Sequence, residues 1–221
     1  MYNCVFRQNE IIKLCVGKTV LDLGFVQHSK DSAYKTTWLH RKISEVAKTI
    51  VGIDILADKI DSITESLQTK SIKWDVTKLH ELELYETFDV IVCGELIEHI
   101  DNPNAMLTGI KKFMNKDSIF IITTPNPWSY IRIKKIKKNN LEKNWLNSEH
   151  VCWYSFETLK NLLLRHNFKK VKFDYYFTDS YEEFSRYGKG IVGILRKIRR
   201  YFWIRKIPKR MHDGLFFVVK K

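Results

Sequence analysis

The chain has 221 residues, 44% of them hydrophobic and 29% charged, with a formal net charge of +13. That length and apolar content suit one folded domain with a sizeable core. No apolar run approaches the roughly 18 residues needed to cross a bilayer, and the opening MYNCVFRQNEIIK lacks the basic-then-apolar layout of a secretory signal.

Four scattered cysteines (Cys4, Cys15, Cys93, Cys152) form neither a CxxC pair nor a disulfide framework, so a cytoplasmic setting is expected. The positive balance suits nucleic acid, anionic lipid or an acidic substrate, or is a general Lys, Ile and Asn bias. Its distribution therefore matters more than its sum.

In chain order, helical spacing over Asn9–Cys15 precedes a strand at Thr19–Leu23, and a helix is expected over Trp38–Ala47. A strand at Thr49–Asp54, a helix over Leu56–Leu67 and a strand at Ser71–Trp74 follow. Phe88–Cys93 reads as a strand. Pro103–Met114 reads as a helix, with Asn102 as cap and Pro103 in its first turn. Ser118–Thr123 is a strand, Ser155 opens a helix over Phe156–His166, and Lys170–Phe177 and Leu215–Val219 complete seven strands. Apolar strands alternating with amphipathic helices predict an α/β fold, a mostly parallel sheet covered on both faces. One domain spanning 1–221 is expected, with a basic amphipathic insertion at about 180–212.

In such a sheet a ligand lies beyond the carboxyl ends of the strands. The first end carries Asp22, Gly24 and Phe25, the second Asp54 and Ile55, the third Asp75 and Val76, and the fourth Gly94 and Glu95. A glycine admits close approach of backbone to ligand, and a carboxylate at the second end can accept both ribose hydroxyls. Asp75 beside Val76 offers an acceptor for an exocyclic amine next to an apolar wall. This acidic lining suits a cofactor with an amine, a ribose and an adenine but no phosphate.

VLDLG at Val20–Gly24, VGID at Val51–Asp54, WDV at Trp74–Val76, FDVIVCGELIEHI at Phe88–Ile100 and IFIITTPNP at Ile119–Pro127 resemble, in order, the motifs of class I S-adenosylmethionine-dependent methyltransferases. Asn147–Phe168 is similar to a downstream segment of that superfamily, and ELIEHI resembles the branch of ubiquinone-biosynthesis and glycan O-methyltransferases. The resemblance implies a Rossmann-like seven-stranded methyltransferase fold in which the last two strands run antiparallel to each other. It also implies S-adenosyl-L-methionine as cofactor and contact with it through Asp22, Gly24, Phe25, Asp54, Ile55, Asp75, Val76, Gly94 and Glu95.

The pattern departs from the family in two places. Its glycine-rich turn reads Gly24-Phe25-Val26-Gln27, without the second glycine, and the polar stretch Gln27–His40 lengthens the first crossover as a candidate lid. The absence of GxGxxG argues against a dinucleotide.

Glu95, Glu98 and His99 fall at i, i+3 and i+4, one face of a helical turn. By the resemblance this set could hold a divalent metal. The alternative is that Glu95 lines the pocket, His99 is hydrogen-bonded and Glu98 pairs with a base, and no obligate metal is expected. His150 or His99 is the candidate general base, with Glu95 beside them; His150 can equally brace a helix start.

Positive charge gathers at Arg132–Lys143, where a substrate-covering element is expected, and at Arg186–Arg210, which holds ten Lys and Arg residues among apolar ones. The second pattern suits a basic amphipathic helix at an anionic membrane surface or over an anionic acceptor, and equally a solvated helix packed on the sheet. Tyr201, Phe202 and Trp203 are adjacent and make a poor stacking platform, so nucleic acid is not the expected partner. The expected reaction is O-methylation of a small molecule, saccharide or lipid-linked glycan intermediate. An RNA methyltransferase and a non-catalytic cofactor-binding module stay open as alternatives.

Overall fold

The structure is a computed structural model that describes residues 5–26, 38–138, 147–177, 192–195, 202 and 206–221. The strands are β1 (Val5–Phe6), β2 (Thr19–Leu23), β3 (Thr49–Asp54), β4 (Lys70–Lys73), β5 (Phe88–Gly94), β6 (Met114–Pro125), β7 (Lys169–Phe177) and β8 (Gly214–Lys220). They form one eight-stranded sheet in the order β1-β7-β8-β6-β5-β2-β3-β4. Only β8 runs against its neighbours, pairing antiparallel with β6 and β7. The antiparallel relation expected for the last two strands is therefore observed. The eighth strand, β1, adds to the edge beside β7; two residues are too few to show a period in sequence.

Because successive side chains on a strand face opposite ways, the sheet sorts its residues by parity. Leu21, Leu23, Val51, Ile53, Ile91, Cys93, Phe120, Ile122 and Phe217 join one buried cluster. Their neighbours Val20, Ile50, Val90, Val92, Ile121, Phe216 and Val218 join another. Helices α1 (Arg7–Cys15) and α2 (Leu39–Ser44) supply Ile11, Cys15, Leu39 and Ile43 to the second cluster.

After the short α3 (Asp61–Ser66), α4 (Pro103–Ile110) covers the first cluster with Met106, Leu107 and Ile110. It starts where expected: Asn102 accepts from the Ala105 N–H at 3.2 Å and Pro103 occupies the first turn. Helix α5 (Tyr130–Lys138) follows β6, and α6 (Phe156–Arg165) opens on a Ser155–Thr158 capping box.

Several expected boundaries moved. The single helix expected over Leu56–Leu67 is a 3₁₀ turn at Ala57–Ile60 followed by α3. The Thr64 hydroxyl donates back to the Asp61 carbonyl at 2.9 Å, a side-chain competition that disfavours a long helix. Strand β6 begins four residues before its apolar run. Met114 pairs with Phe88, and the register then shifts past the exposed Asn115–Asp117 to Val90↔Ile119.

Most of the basic insertion, 178–205, lies outside the described residues; within it residues 192–195 are helical. No helix among the described residues is long and apolar enough to cross a membrane.

Near the carboxyl end of β7, Tyr176 crosses its β8 partner Gly214, where an added Cβ would meet the phenol ring at 2.1 Å. Both residues are buried, so the clash has no soft outlet. Gly214→Ala is expected to lower stability by about 1–3 kcal/mol in urea denaturation. An unchanged midpoint would show that Tyr176 can leave its place at no cost.

Candidate active site

The carboxyl ends of β2, β3 and β5 open onto a cavity of about 610 Å³ lined by Arg7, Gly24, Asp54, Ile55, Gly94, Glu95 and His99, among others. A second cavity of about 420 Å³ shares Gly24, Asp54, Ile55, Leu96 and His99 with it and continues past Trp74, Asp75, Val76 and Ile100. Together they make one cleft across four strand ends, in the size range of small-molecule sites.

Gly24 has φ +70°, and a Cβ there would sit 2.7 Å from the Leu96 side chain. A glycine is required on both grounds. Gly94 serves a cation: a Cβ on it would lie 2.8 Å from the Arg7 guanidinium. Asp54 is buried; its Oδ2 accepts from the Val26 N–H at 3.0 Å and its Oδ1 from the Leu56 N–H at 2.9 Å. It thereby ties together the turns after β2 and β3. Asp75 caps the 3₁₀ turn Val76–Lys78, accepting from Thr77 N–H at 2.8 Å, and also lines the cleft.

Two of the residues expected at the cofactor do not line these two cavities. Asp22 is buried, with its Oδ2 2.9 Å from His40 Nδ1. Phe25 packs over Gly52 and against Trp38 and His40. Neither side chain lines the two cavities; they brace the glycine turn from beneath. Trp38, Leu39 and His40, expected at the end of a lid, are buried anchors. The rest of that stretch, 27–37, lies outside the described residues.

Beyond β5 the chain does not make the helical turn that would align Glu95, Glu98 and His99. Glu95 has φ +58°, and only Ile97–His99 is helical, as a 3₁₀ turn. Glu95 points back along the sheet, where its Oε1 accepts from the Tyr176 hydroxyl at 2.7 Å and lies 3.8 Å from Arg7 Nε. Arg7 also donates to Thr123 Oγ1 at 2.9 Å.

Glu98 turns inward and is buried, with Oε2 accepting from Thr124 Oγ1 at 2.9 Å and Oε1 lacking a hydrogen-bond partner among the described residues. Burial, reinforced by Glu95, pushes its carboxyl up to about 8. Its backbone carbonyl accepts from Val151 and Cys152 N–H, which fixes the loop carrying His150.

His99 Nδ1 lies 2.9 Å from the Glu149 carbonyl, an acceptor only, so the proton sits on Nδ1 and Nε2 is the basic nitrogen. The His150 ring meets His99 edge-on at 4.7 Å and Trp153 at 5.1 Å. Ligand atoms of Glu98, His99 and His150 lie within 4.8 Å of one another, so a divalent ion would find this trio, with His150 in the place expected for Glu95. Arg7, Tyr176 and Glu149 went unread in the sequence; each comes from a segment far from the strand-end motifs.

A family model described as a methyltransferase domain matches residues 16–172. A ubiquinone biosynthesis O-methyltransferase of Glaesserella parasuis serovar 5 (strain SH0165) is 25% identical over 118 residues, 50% of this chain and 46% of the relative. One from Rickettsia bellii (strain OSU 85-389) is 32% identical over 79 residues, 35% of this chain and 33% of the relative. The matches thus span less than half the length of these relatives.

Among solved structures, an S-adenosylmethionine-dependent methyltransferase from Archaeoglobus fulgidus superposes with a TM-score of 0.59 at 20% identity, covering 97% of this chain and 91% of that one. One from Mesorhizobium loti gives 0.61 at 13%, covering 97% and 96%. The N-methyltransferase NodS of Bradyrhizobium japonicum WM9, in complex with S-adenosylhomocysteine, gives 0.55 at 12%, covering 97% and 85%. These likenesses establish the fold.

Glu98 yields a pH dependence. Its folded pKa of about 8 exceeds the reference 4.5, so between these values the folded chain holds a proton that the unfolded chain releases. This contribution to stability is therefore complete below about pH 4.5 and declines as pH rises to about 8. Glu98→Gln is expected to flatten that slope in urea titrations across the window. An identical slope in wild type and variant would mean that Glu98 is ionised in the fold.

Proposed function

Because the chain belongs to the methyltransferase-domain family, the class I S-adenosylmethionine-dependent methyltransferases, we propose that it methylates a hydroxyl of a small molecule, a saccharide or a lipid-linked glycan intermediate. S-adenosyl-L-methionine supplies a methyl group on a sulfonium that is already a good leaving group. The residues present fit it. Gly24 and Gly94 open the cleft floor, the buried Arg7 guanidinium meets a carboxylate, and Asp54 stands where a ribose diol needs an acceptor. Ile55, Val76 and Ile100 give an apolar slot for a purine, with Asp75 at its rim for the exocyclic amine.

The protein's main contribution is then alignment of an acceptor oxygen with the methyl group, the source of most of the acceleration in such displacements. The single observation that carries the hydroxyl reading is His99. It lines both cavities, and its Nδ1 is committed to the Glu149 carbonyl, so its Nε2 is the nitrogen that takes the acceptor's proton. His150, edge-on to His99, positions that ring. Glu95 acts one step away, holding Arg7 and Tyr176 in place.

The expected membrane contact through 186–210 falls largely on residues outside those described, and the acceptor reading stands without it. The resemblance to ubiquinone-biosynthesis O-methyltransferases supports oxygen as the acceptor atom.

The test is transfer from methyl-¹³C-labelled cofactor to fractionated cell extract, read by carbon NMR, with His99→Gln as the comparison. A methoxy carbon is expected, formed about 10²–10⁴-fold more slowly by the variant. A methyl group on nitrogen or sulfur would overturn the hydroxyl reading, and full activity of His99→Gln would remove His99 as base.

A further inference from the structure

Beside the imidazole pair stands a cation that the methyl-transfer reading leaves unused. Arg132 lies in the first turn of α5, just past the carboxyl end of β6, and its guanidinium carbon is 4.3 Å from the centroid of the Trp153 ring. Trp153 in turn meets His150, which meets His99. Two rings, Trp153 and His150, thus lie between Arg132 and the proposed base.

The guanidinium is half-buried, and burial lowers its pKa, the mark of a charge taken partly out of water. Among the described residues, the guanidinium lies over Trp153, has no carboxylate within ion-pair distance and donates to no protein acceptor; the one hydrogen bond that Arg132 donates runs from its backbone N–H to Ser129 Oγ at 3.4 Å.

The ionisable groups around it do not supply a counter-ion. Tyr176, Glu95, Asp213 and Glu98 all act on it electrostatically. Glu95 is taken by the Tyr176 hydroxyl and Arg7. Tyr176 has its phenol pushed well above the usual range by burial and stays neutral. Glu98 turns inward, where its Oε2 is taken by the Thr124 hydroxyl. Asp213 has partners of its own.

With its carbon over the indole, the guanidinium keeps its N–H donors in its own plane, the geometry that grips an oxyanion through two parallel hydrogen bonds. None of its nitrogens is among the buried atoms without a partner, so its donors are open to an incoming anion, in a half-desolvated setting that strengthens such a contact.

We propose that Arg132, braced on Trp153, determines acceptor specificity by docking a carboxylate or phosphate of the substrate beside His150 and His99. The acceptor is then an acidic hydroxylated compound, held by its anion while its hydroxyl is turned towards His99. This deepens the methyl-transfer reading and rests on it for the identity of the ligand as acceptor, but the anion site itself is independent of turnover.

The test uses the full chain saturated with S-adenosylhomocysteine and titrated with phenol, benzoate and phenyl phosphate under competition calorimetry or NMR. At least one anionic probe is expected to bind about tenfold or more tightly than phenol, the scale of one charge-assisted contact. Which of benzoate and phenyl phosphate binds better tells carboxylate from phosphate. Arg132→Gln should level the three probes and Arg132→Lys should restore part of the preference, with S-adenosylhomocysteine affinity unchanged in both.

Equal binding of the three probes by wild type, or a preference that survives Arg132→Gln, overturns the proposal. If Arg132→Gln fails to fold, the probe ranking of wild type against Arg132→Lys decides: equal rankings with undiminished preference would contradict a bidentate guanidinium contact. Anion preference without methylation of any acceptor would sink the methyl-transfer reading and leave this site standing. Methylation without anion preference would do the reverse.

Discussion

The carboxylate of Asp54 is the joint on which the cleft depends. One oxygen holds the Val26 N–H and the other the Leu56 N–H, so a single side chain pins the turns that leave β2 and β3. Both turns line the cavity through Gly24 and Ile55. A carboxylate fixed by two backbone donors is held in place before any ligand arrives. A ribose diol meeting it would use lone pairs that point outward from an already rigid frame. Preorganisation of this kind removes an ordering cost that binding would otherwise carry.

The acceptor side is organised by a second set of buried polar groups. Glu95, in a left-handed conformation, turns away from the 3₁₀ turn that follows it and links Arg7 of α1, Tyr176 of β7 and the end of β5. Glu98 faces the other way and, held protonated by burial, ties β6 through Thr124 and the His150 loop through its backbone carbonyl. Two glutamates three positions apart thus have opposite roles, one bridging at the cleft, one buried and supporting. Their environments set those roles.

Much of this was legible in the sequence because the fold puts its chemistry at strand ends. The strands Thr19–Leu23 and Thr49–Asp54 were placed to the residue, since apolar runs buried on both faces have sharp edges. Once the strands are placed, Gly24, Asp54, Ile55, Asp75, Val76, Gly94 and Glu95 follow as cleft residues. What was hidden depends on three-dimensional pairing. Arg7 bonds to Thr123 across 116 positions and Tyr176 to Glu95 across 81, distances at which no local pattern speaks. Asp22 and Phe25 carry the same local signal as their neighbours, but buried His40, Trp38 and Gly52 take up their side chains. A helical face for Glu95, Glu98 and His99 assumed right-handed backbone throughout, and one positive φ at Glu95 removed it.

The central claim is that this cleft, organised by Asp54, is the cofactor site of a methyltransferase. A crystal structure of the S-adenosylhomocysteine complex tests it most directly. The account predicts both ribose hydroxyls on the Asp54 carboxylate, the amino-acid carboxylate on Arg7 and the adenine between Ile55, Val76 and Ile100, with the Val26 and Leu56 contacts of Asp54 retained. A ligand bound elsewhere, or a ribose held by other groups while Asp54 keeps only its backbone partners, would contradict it.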